Sequence, residues 1–276
     1  MLTPLECKNR VFLRLDVSLW QLTLLPYSSN YMQMTKNVEK WYSSWFDSPF
    51  YHILYQDRDH KEAQTFMDNL TNYLNLPENG SVLDLACGKG RHSIYLNSIG
   101  YDVTGIDLSE NSITYAKQFE NESLHFEVHD MCKPYRKTFD AVFNLFTSFG
   151  YFERDEDNLK TVKAIKANLN EYGFGVIDFM NTDYIIENLV PKNTKTVDGI
   201  DFLQKRYLEN GYIIKDISFN SEGQDYKFQE KVKAFTLSDF EELFKLAKVD
   251  LFEVFGDYKL QKFQKHKSER LIMLFK

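Results

Sequence analysis

The sequence predicts an α/β fold in which a mainly parallel sheet carries an antiparallel insertion. Three observations indicate this fold. A buried-strand pattern runs directly into a glycine turn and a helix start at 81–93. Strand and helix patterns then alternate as far as residue 180, which is typical of parallel strands joined by right-handed crossovers. Between 195 and 235 the helical patterns stop and strand patterns follow one another across short turns, which predicts an antiparallel sheet.

Composition limits the class of protein. The chain has 276 residues, of which 43% are hydrophobic, enough for one large α/β domain with an elaboration. Its formal net charge is -7 and its only notable basic stretch is 259–270, so we expect no nucleic-acid partner. No apolar run is long enough to span a bilayer, and we expect no membrane association. The three cysteines have no disulfide or metal-ligand spacing, which predicts a reducing, cytoplasmic setting and no metal.

The first part of the chain differs from the rest. Residues 1–34 are predicted to be an N-terminal arm or a non-native extension, because the sequence after Met34 looks like a natural N-terminus. Residues 35–58 are crowded with aromatic side chains, and Pro49 breaks them into two pieces. Two interpretations stay open for this aromatic segment: short helices packed on the core, or a lid over a binding site.

The core elements follow in order. Apolar residues recur at spacings of three and four from 59 to 76, which predicts an amphipathic helix. Ser109 is a good helix N-cap that follows the second predicted strand. The predicted strands are 81–86, 101–107, 124–128, 139–145 and 175–180, and the helices between them are 90–99, 109–120 and 155–170.

The antiparallel insertion is assigned to 182–236, after the fifth strand. Asn210-Gly211 lies between two strand-like runs, which is a strong hairpin signal. Three strands are predicted, at 195–206, 212–220 and 226–235. An exposed antiparallel edge can pair with its own copy, so the insertion is a candidate homodimer surface.

The core is therefore divided into 59–181 and 237–276. Its last part begins with a helix for which Ser238 and Glu241 form a predicted capping box. Phe240, Leu243, Phe244 and Leu246 are predicted to face inward, and strands at 248–256 and 269–275 close the chain.

The glycine turn is the candidate cofactor site. A dinucleotide-binding turn requires G-x-G-x-x-G, but here Gly88 and Gly90 are followed by Ser93 where the third glycine would stand. Asp84 lies before the turn, at the end of the first strand. A carboxylate there can accept hydrogen bonds from an ammonium group. S-adenosylmethionine carries such a group and NAD does not.

Two further acids extend this site. Asp107 ends the second strand, where it can accept hydrogen bonds from both hydroxyls of a ribose. Asp130 follows the third strand, near the expected adenine edge, although an aspartate after a strand is also a common turn residue. The carboxyl ends of parallel strands share one edge of a sheet, so these acids should cluster where open α/β folds bind ligands.

Four motifs in register resemble one family. The segments 84–90, 105–109, 129–131 and 144–150 together resemble a class I S-adenosylmethionine-dependent methyltransferase of the small-molecule methyltransferase-domain group. The resemblance covers about residues 60 to 180 well. It implies a Rossmann-like sheet of seven strands, the last one antiparallel, and some members also carry an antiparallel insertion after the fifth strand.

The resemblance also implies roles for particular residues. Lys89 departs from the family pattern, and we expect its side chain to point to solvent. The implied cofactor-binding residues are Asp84, Ala86, Gly88 and Gly90 at the methionine end, Asp107 at the ribose, Leu108, Asp130 and Met131 around the adenine, and Asn144 and Leu145 on the sulfonium side.

The expected reaction is an in-line displacement at the methyl carbon of a sulfonium, with an unidentified small-molecule oxygen or nitrogen as acceptor. The leaving group is already activated, so neither a nucleophilic side chain nor a metal is required. A general base helps only where the acceptor must lose a proton, and His52 and Tyr151 are the candidates. We expect the acceptor pocket to be walled by the aromatic segment, the loop 149–152 and the antiparallel insertion.

Two other functions stay open at this point. One is a nicotinamide-dependent oxidoreductase, against which the missing third glycine and Asp84 both count. The other is a methyltransferase-like module that binds a partner without catalysis.

Two residues near the turn could be read as a nucleophile and a base but are assigned structural roles. Cys87 is interpreted as a small buried side chain, and His92 as a packing or surface residue.

Overall fold

The computed structural model describes residues 45–56 and 60–276, and for His60 the backbone alone. The predictions for 1–34 and for the beginning of the aromatic segment therefore lie outside the described residues. From here on, "aromatic segment" means its described part, 45–56.

Two sheets form the framework. The strands of the larger one are β1 Ser81–Leu85, β2 Asp102–Asp107, β3 Leu124–Val128, β4 Phe139–Asn144, β5 Leu169–Met180, β10 Leu251–Phe255 and β11 Arg270–Phe275. The strands of the smaller one are β6 Lys192–Val197, β7 Ile200–Glu209, β8 Tyr212–Ser221 and β9 Gln224–Lys233.

The larger sheet has the order β10-β11-β5-β4-β1-β2-β3. Strands β1 to β5 pair in parallel, whereas β11 runs antiparallel to both β5 and β10. The seven-stranded α/β prediction with an antiparallel last strand is confirmed. The strand order reverses beside β1, and such a reversal opens a crevice at the carboxyl ends of the strands.

The described part of the chain has seven α-helices, five of which pack on the larger sheet. They are α1 Pro49–Leu54, α2 His60–Leu74, α3 Arg91–Ser98, α4 Glu110–Ala116, α5 Asp155–Ala167, α6 Thr182–Glu187 and α7 Leu237–Ala247, and a 3₁₀ turn follows α4 at Lys117–Phe119. One apolar cluster joins the sheet to α2, α3 and α4, and a second joins it to α5 and α7. None of the described helices has both the length and the apolar character needed to cross a bilayer.

Helix α5 ends earlier than predicted, at Ala167. The prediction ran the helix to residue 170 and began the next strand at 175, but β5 begins at Leu169. Asn168 explains the early stop, because its side-chain amide donates to the backbone oxygens of Tyr135 and Lys137 at 2.9 and 2.7 Å. These two bonds fix the chain where it leaves the helix.

The cap of α7 was also misplaced. Thr236 and Asp239 form the capping box, in which Asp239 accepts a hydrogen bond from the Thr236 backbone at 2.7 Å. The predicted box of Ser238 and Glu241 has the same spacing two residues later, and the sequence pattern alone could not separate the two. Leu246, which was predicted to face inward, is 54% exposed.

The insertion has four strands where three were predicted. The predicted strand 195–206 is in fact a hairpin with Asp198 and Gly199 at its turn, at φ 49° and 76°. Both residues are left-handed, as a two-residue Asp-Gly hairpin turn requires. The predicted turn at Asn210-Gly211 is confirmed, with φ values of 50° and 78°.

The aromatic segment packs against the smaller sheet. Pro49 opens α1 after the N-cap Ser48 rather than simply breaking the chain. Trp45 and Leu54 are buried in a third apolar cluster with residues of the smaller sheet. Glu230 on β9 accepts hydrogen bonds from Trp45 Nε1 at 2.8 Å and from the hydroxyl group of Tyr55 at 2.6 Å. The aromatic segment is therefore held in place by contacts with the smaller sheet.

Candidate functional site

A cavity of about 700 Å³ lies at the carboxyl ends of β1 and β2. The glycine turn, α3, α4, the loop after β4 and the aromatic segment all contribute to it. Its lining includes Phe46, Tyr51, His52, Tyr55, Asp84, Ala86, Cys87, Gly88, Lys89, Arg91, His92, Asp107, Tyr115, Leu145, Phe146 and Ser148.

The two glycines of the turn have different reasons to be glycine. Gly88 and Gly90 both have positive φ, at 56° and 83°. A Cβ on Gly88 would meet nothing within 4 Å, whereas one on Gly90 would lie 2.6 Å from the Phe126 ring. Gly88 thus leaves the cavity wall open to a ligand, and Gly90 lets α3 pack closely on the sheet.

Asp84 is a buried acid in the cavity wall. It is only 2% exposed and accepts a hydrogen bond from the Ser93 hydroxyl group at 2.6 Å. Burial raises the pKa of its carboxyl group from 3.8 to about 7, and the nearby Asp107 charge adds to this, against the opposing effect of the Ser93 bond. A cationic ligand would restore the charged form, since an opposite charge favours ionisation.

Asp107 both holds the glycine turn and faces the cavity. Its carboxylate accepts backbone hydrogen bonds from Gly88 at 2.9 Å and Ser109 at 2.8 Å, and it lines the cavity. Burial raises the pKa of Asp107 above its ordinary value, against these two backbone bonds. Each carboxylate oxygen can accept more than one hydrogen bond, so Asp107 holds the turn and keeps acceptor positions for a ligand.

The residues predicted around the adenine are less closely tied to this cavity. Asp130 accepts a hydrogen bond from the Cys132 backbone at 3.0 Å and pairs with Lys133 at 3.9 Å. Asp130 and Met131 are absent from the described cavity lining, and Leu108 is 44% exposed. Their adenine contacts stay a prediction.

The side-chain oxygen of Asn144 has no hydrogen-bond donor among the described residues. Asn144 is fully buried, and its Nδ2 donates to the Leu85 backbone oxygen at 3.2 Å. Leu145, the next residue, lines the cavity. Asn144 itself is not among the described lining residues, so its approach to the sulfonium stays a prediction.

The aromatic segment supplies the predicted outer wall, but other predicted wall elements do not. Phe149 lies in the core, fully buried, with its ring 5.3 Å from that of Phe240. No described residue of the insertion is in the cavity lining, because the smaller sheet lies behind α1. Of the two candidate bases, His52 lines the cavity, whereas Tyr151 packs its ring 5.5 Å from Phe46 outside the lining.

Sequence reasoning missed three residues of the inner wall. The Phe146 ring stacks on His92 at 4.7 Å, and the Arg91 guanidinium lies 4.8 Å from the same ring. Arg91 Nη2 also lies 3.0 Å from His92 Nε2, and because a guanidinium only donates, that nitrogen of His92 is the acceptor. His92 was assigned to packing or the surface, yet it is part of the wall. Nothing in the local sequence indicates this cluster.

Lys89 and Cys87 also have defined positions. Lys89 was expected to point to solvent, but it lines the cavity with its ammonium group 5.0 Å from the Tyr115 ring. Cys87 is buried, as predicted, and burial raises the pKa of its thiol well above the ordinary value. A thiol in that state is a poor nucleophile.

The cavity has the chemistry that S-adenosylmethionine requires. Asp84 can meet an ammonium group, and Asp107 can meet ribose hydroxyls. Gly88 leaves the turn open to a ligand. The residues present therefore fit this cofactor.

Comparison with known proteins identifies the family. A methyltransferase-domain family model matches residues 82–173. A putative methyltransferase of Bacillus subtilis, YqeM, is 31% identical over 196 residues, which are 66% of this chain and 78% of that protein. The crystal structure of an S-adenosylmethionine-dependent methyltransferase from Clostridium acetobutylicum superposes with a TM-score of 0.70 at 22% identity, covering 82% of this chain and 94% of that one.

The same comparison includes an amino-sugar enzyme. The dTDP-3-amino-3,4,6-trideoxy-alpha-D-glucopyranose N,N-dimethyltransferase of Streptomyces venezuelae is 33% identical over 105 residues, or 37% of this chain and 43% of that protein. The chain thus spans less than half of that relative.

The protein described here belongs to the class I S-adenosylmethionine-dependent methyltransferases. It is an enzyme with S-adenosylmethionine as cofactor, and nothing supports the nicotinamide alternative.

Proposed function

We propose that this enzyme transfers the methyl group of S-adenosylmethionine to an oxygen or nitrogen atom of a small molecule, inside the 700 Å³ cavity. One observation carries the proposal. The cavity is continuous from the acidic glycine turn, with Asp84 and Asp107, to a chamber walled by the aromatic segment. One end suits the methyl donor and the other suits an acceptor of limited size.

The donor end is assigned first. Asp84 binds the methionine ammonium group and Asp107 binds the ribose hydroxyls. Arg91 lies close enough to Asp84 for its charge to lower the pKa of that carboxyl group, and it is the cation proposed to meet the methionine carboxylate. Asp130 and Met131 bind the adenine. When bound, the cofactor supplies a methyl group on an already activated sulfonium.

The acceptor end follows from what surrounds it. Phe46, Tyr51, His52 and Tyr55 line the cavity, and they exclude water and orient the acceptor for in-line attack. His52 is the better placed of the two candidate bases, because Tyr151 lies outside the lining. His52 is needed only for an acceptor that must lose a proton.

The class of acceptor rests on cavity size and on a relative. A concave cavity of this volume suits a metabolite better than a macromolecular surface. The Streptomyces venezuelae relative is named for N-methylation of an amino sugar, so amines come first in a search and hydroxyl compounds second. The free Cys87 and Cys132 support a cytoplasmic setting. Dimerisation through the edges of the smaller sheet, β6 and β9, stays a prediction.

The acceptor can be found by measuring S-adenosylhomocysteine. The purified protein is incubated with S-adenosylmethionine and fractions of a metabolite extract, and amine and hydroxyl fractions are assayed separately. We expect S-adenosylhomocysteine to accumulate with at least one fraction, and an Asp84→Asn variant to be much slower with that fraction. Tight binding of S-adenosylmethionine without product from any fraction would instead indicate a non-catalytic binding module.

A further inference from the structure

Two consecutive residues after β4 adopt a strained backbone. Phe146 and Thr147 have φ values of 57° and 61°, in the left-handed region. Neither is glycine, and a β-branched threonine is especially unfavourable there. Such conformations persist only where the surrounding structure holds them, and they concentrate at functional sites.

An ion pair between β5 and β11 holds this turn. Asp178 on β5 is fully buried, and its carboxylate accepts the backbone N–H of Phe146 at 2.9 Å. Its backbone oxygen accepts the N–H of Thr147 at 3.0 Å. Arg270 on β11 donates from Nε to the Asp178 carboxylate at 2.8 Å and from Nη2 to the Thr147 hydroxyl group at 3.0 Å. One aspartate and one arginine thus hold both strained residues by backbone and side chain.

Tyr258 contacts both the ion pair and the strained turn. Its hydroxyl group donates to the Asp178 carboxylate at 3.3 Å, and its ring lies 5.2 Å from that of Phe146. The charges of the pair therefore have hydrogen-bond partners, as buried charges require.

These contacts fix the turn that carries the Phe146 ring into the cavity wall. The ring lies nearly parallel to His92, with an interplanar angle of 19°, and beneath the Arg91 guanidinium. Phe146, His92 and Arg91 all line the cavity, whereas Thr147 and Arg270 are not among the described lining residues. The ion pair therefore acts on the wall without touching a ligand.

We propose that Asp178 and Arg270 are positioning residues for methyl transfer, which hold the strained Phe146-Thr147 turn so that Phe146, His92 and Arg91 form one wall of the reaction site. A buried ion pair is weak evidence for stability, because desolvation offsets much of its attraction. Its position under a strained turn gives it a functional reason instead. The inference rests on the proposed transfer reaction, but its structural part can be tested without an acceptor.

A matched pair of variants at Thr147 isolates the contact. Thr147→Val keeps the β-branched shape and removes the hydroxyl group that Arg270 binds, whereas Thr147→Ser keeps the hydroxyl group. The first readout is the NMR position of the His92 ring protons, which stacking on Phe146 shifts upfield. The Phe146→Leu variant marks where these resonances lie without the stack. The second readout is the rate of S-adenosylhomocysteine formation.

We expect Thr147→Val to move the His92 resonances toward their positions in Phe146→Leu. Its transfer rate should fall by roughly ten- to a hundredfold, the size of effect that a misplacement of about 1 Å can cause. Thr147→Ser should match the wild type in both readouts. A purely structural contact would lower the melting temperature and leave the His92 resonances of the folded protein unchanged, and that result would overturn the proposal.

Arg270→Lys is the second variant, should Thr147→Val fail to fold. It keeps the positive charge and loses the fork that bridges Asp178 and Thr147. Its control is Arg136→Lys, at an exposed pair with Glu127, which should change neither readout. Should wild-type protein form no S-adenosylhomocysteine, the transfer reaction fails. Unmoved His92 resonances in the folded variant, whether Thr147→Val or Arg270→Lys, would refute the positioning role by itself.

Discussion

Replacing Asp107 by alanine is expected to weaken S-adenosylmethionine binding by about tenfold or more. The two proposed hydrogen bonds to the ribose involve a charged acceptor, and such bonds contribute roughly 1.5–3 kcal/mol each. Asp107 lies where β2 ends, in the cavity wall beside Gly88. Isothermal titration calorimetry on the wild type and the variant measures the change directly.

Asp107 also holds the glycine turn, so the experiment needs two controls. The variant must show the far-ultraviolet circular dichroism of the wild type, because losing the bond to the Gly88 backbone can loosen the turn. Asp102→Ala removes a carboxylate from the opposite end of β2, where it pairs with the exposed Lys137 at 3.2 Å, and should leave the affinity unchanged. A folded Asp107→Ala protein with wild-type affinity would refute the ribose role.

The affinity of the wild type for S-adenosylmethionine should fall about tenfold between about pH 8 and about pH 6. Asp84 accepts the methionine ammonium group only when ionised, and the pKa of its carboxyl group in the free protein is about 7. Below that pH a proton must leave before the cofactor binds, so binding releases protons. Calorimetry in buffers of different ionisation enthalpy measures both the affinity and the proton release.

The same carboxyl group predicts a stability change of defined sign. Its pKa is raised from 3.8 to about 7, so between these values the folded state binds a proton that the unfolded chain has released. The contribution of Asp84 to the free energy of unfolding is therefore greatest below the unfolded-state value and falls as pH rises toward 7. The difference between wild type and Asp84→Asn isolates this group from Asp107 and Asp178, whose pKa values are also raised by burial.

Thermal melts of the cofactor-free wild type and Asp84→Asn across this pH range provide the test. We expect the wild type to lose stability relative to the variant as pH rises, and the variant's weaker cofactor affinity to vary less with pH. A wild-type affinity that stays level from about pH 6 to about pH 8 would contradict the assignment of Asp84.

The donor half of the site could be predicted because its signals are local. Asp84 and Asp107 end successive strands, and parallel strands bring their carboxyl ends to one edge. The glycines between them have positive φ, which their residue type favours. Strand period, glycine position and acid position therefore agreed before any tertiary contact was known.

The rest of the site could not be predicted to the same depth, because tertiary contacts shape it. Thr147 and Arg270 are 123 residues apart, and their hydrogen bond depends on β11 lying beside β5. The strain at Phe146 has no local signature, since phenylalanine and threonine ordinarily avoid that conformation. Phe149 was assigned to the wall from its neighbours in sequence, but the turn sends its ring into the core. The Asp198-Gly199 turn is different, because an Asp-Gly pair between two strand patterns is itself a local hairpin signal.

The central claim is that the acidic glycine turn binds S-adenosylmethionine and not a dinucleotide. A calorimetric titration of the full chain with S-adenosylmethionine, followed by a competition with NAD, tests this most directly. We expect saturable binding at one site per chain, displacement by S-adenosylhomocysteine and no displacement by NAD. Displacement by NAD, or no binding of S-adenosylmethionine to the folded protein, would contradict it.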